Sequence, residues 1–169
     1  MSSYRVRPAE PRDDAAIGEL LVASFVEQYA RKLPDVVVTG HRKAELRNVA
    51  AKRALAHVWV AEKDGEIVGT IALWPPGAHR SEAWISNAAD LRHLAVARAH
   101  RGGEVSKLLI DTAEKHARAM GCTSVCLHVR RGAGGVRALY ERRGFVRAPE
   151  GDLDQLPEVF LEALVLRLQ

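Results

Sequence analysis

The stretch DLRHLAVARAHRGGEVSKLLIDTAEKHARAMG, residues 90–121, constrains the fold more than any other part of the chain. A β-rich run, DLRHLAV (90–96), passes through a basic turn with two adjacent glycines and into an amphipathic helix from about residue 103 to 120. Val105, Leu108, Leu109, Thr112, Ala113 and Met120 recur at helical spacing and form a core stripe. Gly121 stands where such a helix stops. A strand that feeds straight into a helix belongs in a sheet with helices on its faces.

The flanking segments supply the rest of such a sheet. YRVR (4–7) reads as a short strand ended by Pro8 and Pro11, with Asp13 or Asp14 placed to cap a helix. Ile17, Leu20, Leu21, Ser24 and Phe25 then follow the period of an amphipathic helix. A break at LPDVVVTG (33–40) precedes a second helical segment over about 41–56, with Leu46, Val49, Ala50 and Ala54 on one side. HVWVAEKDGEIVGTIALW (57–74) is a hairpin, because Asp-Gly is the pair a tight primed turn requires. Pro75 and Pro76 end its second strand, and WPPGAHRSEAWISNA (74–88) reads as an exposed loop. TSVCLHV (123–129) is a further strand, in which Cys126 alternates away from Val125 and Leu127. GAGGVRALYERRGF (132–145) is a short helix with Val136, Leu139 and Tyr140 on one face. VRAP (146–149) is a weak strand, and EVFLEALVLRL (158–168) is the last one. The order β-α-α-β-β-β-α-β-α-β-β predicts an α/β or α+β fold, a mixed sheet flanked by helices, as a single domain over 1–169.

Composition narrows the classes of function. No apolar run approaches the roughly 20 residues that span a bilayer, and MSSYRVRPAEPRDD lacks the apolar centre of a signal peptide. A cytosolic protein with no membrane partner is expected. Cys122 and Cys126 have no ligand cluster beside them, so buried free thiols are expected and no metal. The net charge is +4, and only six of 25 basic residues are lysine. That excess points to an anionic partner, a nucleic acid or a polyphosphate cofactor. There is no basic tail, and 5% aromatic residues are too few for a base-stacking platform, so no nucleic-acid partner is expected.

The turn has a chemistry of its own. The main-chain amides of Arg101, Gly102, Gly103, Glu104, Val105, Ser106 and Lys107 can converge on one point at the positive end of the following helix. Gly102 and Gly103 let the backbone come close, and Arg101 and Lys107 add charge. A pyrophosphate suits such a corner, although many strand-to-helix turns hold two glycines for conformational reasons alone.

LRHLAVARAHRGGEVSKLL resembles the acetyl-CoA-binding core of the GNAT-type N-acetyltransferase superfamily, in which a strand ending in a LAV-like triplet leads into R/Q-x-x-G-x-G/A and a helix. Some forty residues on, ALYERRGF (138–145) resembles the superfamily's second hallmark, an LYxxxGF helix end. The likeness runs over about 4–168 and implies a mixed, mostly antiparallel sheet flanked by helices. It also implies acetyl-CoA as cosubstrate, no metal, and direct transfer to an amine. By position, the main chain of Leu94, Ala95 and Val96 would pair with the pantetheine arm and an amide near Val96 would polarise the acetyl carbonyl. The amides of 101–107 would take the pyrophosphate, and Tyr140 would protonate the departing thiolate. Glu104 and Ser106 depart from the family's glycine and Gly/Ala, and Ala133 stands near where many members carry asparagine. These departures imply weaker or altered cofactor binding, and the site accommodates Glu104 where its side chain points to solvent and only its amide faces the ligand.

Asp90 and Arg92, two apart on the strand, would share a face with Leu94 and Val96, and Asp90 is the candidate general base; His93 and His128 compete with it. His79, Glu82 and Trp84 either line the acceptor side or are solvated. The acceptor, small molecule or protein, is an amine whose class (polyamine, amino sugar, amino acid, protein N-terminus) the motifs leave open. A homodimer through the exposed sheet edges is compatible with the sequence. The alternative classes are a non-catalytic acyl-CoA-binding regulator and a nucleic-acid binder.

Overall fold

The structure, a computed structural model, describes residues 3–32, 38–157 and 159–169. The chain forms two compact units. One runs to Leu73 and takes in His93–Ala113; the other comprises Trp74–Arg92 and Glu114–Gln169. No helix among the described residues is long and apolar enough to cross a membrane.

The first unit begins with strand β1 (Arg5–Pro8), which pairs antiparallel with β2 (His57–Lys63); β2 pairs antiparallel with β3 (Glu66–Trp74). The expected hairpin turn is present. Asp64 and Gly65 have φ of 52° and 82°, the primed geometry that matches strand twist.

Helix α1 (Asp14–Lys32) buries Ile17 and Leu21 fully. Asp14 opens its first turn, and Asp13 lies in a short 3-10 turn leading into it, where its side chain accepts the amide of Glu10 at 2.8 Å in a capping box and takes a two-pronged contact from Arg7 at 2.8 and 3.0 Å. The break expected at 33–40 falls largely on residues 33–37, which lie outside the described residues.

The second helical segment is two helices, α2 (Gly40–Arg47) and α3 (Val49–Leu55), parted at Asn48. Thr39 caps α2 by accepting from the Arg42 amide at 3.1 Å. The break re-aims the apolar face. Leu46 and Val49 are buried as expected, but Ala50 and Ala54 are exposed, and Lys52 and Ala56 take the inner positions.

The last residues of β4 (Ala88–Val96) and the start of α4 (Val105–Ala119) complete this unit. Gly69 in β3 lets α4 approach, because a Cβ there would lie 2.7 Å from Val105 Cγ1 and 2.9 Å from Leu109 Cδ1. Val105, Leu109, Ile110, Ala113 and Ala117 form the buried stripe of α4, whereas Leu108, Thr112 and Met120 are half-buried at its margin.

In the second unit Ala88–Asp90 of β4 runs parallel to Ser124–Cys126 of β5 (Ser124–Arg130). β8 (Val159–Arg167) pairs antiparallel with β5 over seven residues, Ser124↔Arg167 to Arg130↔Leu161. Two short strands, β6 (Val146–Arg147) and β7 (Leu153–Gln155), also pair with β8, and α5 (Gly134–Glu141) precedes them. β6 is the weak strand expected at VRAP; β7 lacks an alternating pattern and was not expected.

The loop after β3 is not simply exposed. Ala83, Trp84 and Ile85 pack on a buried cluster of Ala88, Cys126, Ala148 and Val165. A side chain at Gly151 would meet the Trp84 ring at 2.3 Å. Cys122 and Cys126 are free and buried, and burial pushes the Cys126 thiol up to about 11. The architecture is a mixed, mostly antiparallel sheet flanked by helices.

Candidate functional site

Each unit carries a cluster of chemistry-bearing residues. In the first, β4 ends at Val96, a 3-10 turn covers Arg98–His100, and α4 starts at Val105. The first bond of α4 runs from the Leu108 amide to the Glu104 carbonyl at 2.9 Å. The amides of Val105, Ser106 and Lys107 therefore precede any helical acceptor and lie at the positive end of the dipole. Gly102 has a φ of 76°, and a Cβ built on it meets nothing within 4 Å. This is a turn with its backbone open, and it fits a diphosphate.

The left-handed residue of the turn is Gly102; Glu104 has no positive φ, and its side chain is exposed. Ser106 is half-buried and Lys107 exposed, with Lys107 Nζ 3.6 Å from Asp111. Arg101 does not stand free beside the amides. Its Nε donates to the Val96 carbonyl and its Nη1 to Glu27 of α1, both at 2.9 Å. Its amide already donates to the Arg98 carbonyl at 3.4 Å.

Upstream on the same strand, His93 has a φ of 60°. A left-handed residue inside a strand breaks the two-residue alternation, so the single face expected to carry Asp90, Arg92, Leu94 and Val96 is interrupted. The His93 ring lies edge-on to Phe25 of α1, with centroids 6.4 Å apart, and its Nδ1 is 3.1 Å from Lys52 Nζ. Lys52 is only 7% exposed. Burial, assisted by the charge of Arg42, brings its amine down to about 7. Sequence reasoning missed Lys52; the available signal was its place three residues after Val49 and four before Ala56, on the apolar side of α3.

In the second unit Tyr140 lies on α5, 5% exposed, edge-on to Phe145 with centroids 5.4 Å apart. Burial pushes its hydroxyl well above the ordinary phenol value; Arg143 opposes that shift, and Glu114, bonded to Arg143 at 2.6 Å, adds to it. Burial therefore makes Tyr140 a weaker acid than an ordinary phenol.

Asp90 is fully buried. Its Oδ2 accepts from the Glu82 amide at 2.8 Å and from Arg92 Nε at 2.7 Å. Arg92 also reaches Glu82 at 3.2 Å and the carbonyl of Arg80, and it lies 4.3 Å over the Trp74 ring. The buried carboxylate orders this loop through Oδ2, while its Oδ1 has no hydrogen-bond partner among the described residues. Trp84 stacks edge-on to His128, and His128 Nε2 meets the Gly151 carbonyl at 2.8 Å. His79 is exposed.

A profile of the Acetyltransferase (GNAT) family matches residues 15–145. N-acetyltransferase 8 of Rattus norvegicus is 35% identical over 101 residues, 58% of this chain and 43% of that protein. The chain thus spans less than half the length of this curated relative. Among solved structures, an acetyltransferase of the GNAT family from Staphylococcus aureus Mu50 superposes with a TM-score of 0.77, at 16% identity over 98% of this chain and 99% of that one. PaiA N-acetyltransferase from Thermoplasma acidophilum, solved in complex with coenzyme A, gives 0.72 at 19% identity over 96% and 98%.

Proposed function

The chain belongs to the Acetyltransferase (GNAT) family, and from that premise we propose that it is an acetyl-CoA-dependent N-acetyltransferase acting on a primary amine by direct attack. One observation carries the reading: the turn after β4 leaves its backbone open at Gly102 and starts α4 with Glu104 exposed. An inward carboxylate would have opposed a diphosphate; this one leaves the amides to it.

When bound, acetyl-CoA supplies a thioester acetyl group. The acceptor nitrogen bonds to the acetyl carbon as the carbon–sulfur bond breaks, so the nitrogen loses a proton and the sulfur gains one. In this reading the amides from Gly102 to Lys107 hold the diphosphate, and the main chain of Leu94 and Ala95 aligns the pantetheine arm. Arg101 fixes the carbonyl of Val96, and a main-chain amide of the strand beside the thioester polarises the acetyl carbonyl. Tyr140 gives its proton to the sulfur, and its burial favours the protonated phenol. Asp90 holds Arg92 and the Glu82 amide, which orders the loop after β3.

Two measurements on the whole chain test this. Coenzyme A should raise the melting temperature, and free thiol should appear from acetyl-CoA with at least one of spermidine, glucosamine, lysine or an alanine-initiated peptide. Stabilisation by oligonucleotides, steeply salt-dependent and unmatched by coenzyme A, would overturn the reading. Binding of coenzyme A with no thiol release from any acceptor would make the protein a binder and not a transferase.

A further inference from the structure

Lys52 and His93 form a pair whose construction is costly. An amine on α3 is 7% exposed, with its Nζ 3.1 Å from His93 Nδ1. His93 is held at a φ of 60° inside a strand, a left-handed conformation uncommon there though histidine tolerates it better than most L-residues, and Phe25 braces its ring edge-on. Strain of this kind persists where the surroundings enforce it, and it gathers at functional positions.

Charged groups face the amine from each neighbouring helix. Arg42 on α2 disfavours the ammonium form. Asp14 on α1 favours it, but that carboxylate is engaged by Arg53 through two contacts of 2.7 Å. Desolvation dominates and leaves a lysine at about 7. Two cations at hydrogen-bond distance repel, so the pair most readily holds one extra proton between its two members. With the amine neutral, Nζ accepts Nδ1–H, and the ring's lone pair is then on Nε2.

The position of the pair along β4 gives it a task. In the transferase reading, on which this inference rests, the diphosphate sits at 102–107 and the pantetheine arm runs back along Ala95 and Leu94. The strand advances about 3.3 Å per residue, so the acyl end of that arm approaches residue 93.

We propose that His93 is the general base of the transfer and that Lys52 is its positioning partner and proton reservoir. Nε2 takes the proton that the acceptor nitrogen loses. The ring's Nδ1 proton passes to Nζ, and the resulting ammonium later returns its proton to solvent. Lys52 acts here as the buried carboxylate does behind a catalytic histidine, with a neutral amine in place of the anion.

His93→Asn keeps a residue that tolerates the left-handed backbone, and Lys52→Arg keeps a long cation that cannot take up the proton. His93→Asn should lower kcat at least 100-fold, with the KM for acetyl-CoA little changed, and its rate should recover as rising pH deprotonates the acceptor. Lys52→Arg should lower kcat about tenfold, and Lys52→Met should move the acid limb of the kcat/KM profile. Independently of turnover, 15N NMR of the protein alone at pH 8 should find His93 as the Nδ1–H tautomer, reverting to Nε2–H in Lys52→Met. An Nε2–H tautomer in the parent protein, or parent rates and pH profile in His93→Asn and Lys52→Arg, would overturn the proposal while leaving the transferase reading intact. Absence of thiol release by the parent protein would overturn both.

Discussion

Glu27 of α1 and Arg101 of the turn after β4 form an ion pair at 2.9 Å, and the same guanidinium donates to the Val96 carbonyl. Arg98 Nε lies 3.8 Å from the same glutamate oxygen. The turn's basic residues are therefore tied to a helix from the start of the chain. For Arg101 to reach a diphosphate it must leave Glu27. Both side chains are partly exposed, so the pair is worth about 1 kcal/mol at most. Glu27→Gln should tighten coenzyme A binding up to about fivefold, measured by titration calorimetry at low salt, and Arg101→Ala should weaken it. Looser binding in Glu27→Gln would mean that the glutamate orders the turn for its ligand.

Tyr140→Phe removes only a buried hydroxyl and keeps the contact with Phe145. Thiol release should fall roughly 100-fold with coenzyme A affinity unchanged. Burial holds the phenol above its ordinary 10, so loss of its proton should not appear as an alkaline limb in the rate profile below that pH. Unaltered turnover in the variant would remove Tyr140 from the chemistry.

Asp90→Asn leaves Arg92 beside a neutral amide and removes the anionic acceptor of the Glu82 amide. A broken buried pair of this kind costs about 3 kcal/mol, which corresponds to a fall of roughly 6–12 °C in Tm for a chain of this size. The fall should be visible by calorimetry in the absence of any substrate. A stable variant with lost turnover would restore the proton-accepting role expected from the sequence.

Two glycines separate conformational need from packing need. At Gly102 nothing stands within 4 Å of a new Cβ, but φ is 76°, so Gly102→Ala should cost about 1 kcal/mol from the backbone alone and loosen coenzyme A. At Gly69 the backbone is ordinary and the clash is with Val105 and Leu109. Gly69→Ala should cost about 1–3 kcal/mol by overpacking. Denaturant titration distinguishes the two.

Lys52→Met should stabilise the protein in a pH-dependent way. The amine lies at about 7 in the folded chain and at 10.5 ordinarily. Between those values the unfolded chain binds the extra proton, so stability at this position rises with pH across the window. The gain from Lys52→Met should be largest at pH 7 and below and should fade toward pH 10.5. A gain that does not vary with pH would show that Lys52 is charged in the folded protein.

The sequence alone determined the elements whose signals are local. Asp64-Gly65 makes its own turn, Gly121 ends its own helix, and the apolar stripe of 105–117 states which side of α4 faces inward. The strand–turn–helix at 90–119 and the LYERRGF helix end were legible for the same reason, because dipoles, glycine torsions and helical period act over a few residues. Tertiary structure decided what depends on distant partners. Asn48 parts two helices that periodicity joins, and the parting turns Lys52 inward while Ala50 and Ala54 face solvent. A carboxylate two residues from an arginine can be a base or a brace, and only the burial of Asp90 against Arg92 and the Glu82 amide made it a brace. The Lys52–His93 contact joins residues 41 apart. Such a pair follows from the packing of α3 on the strand, and packing is a property of the folded chain that no local pattern encodes.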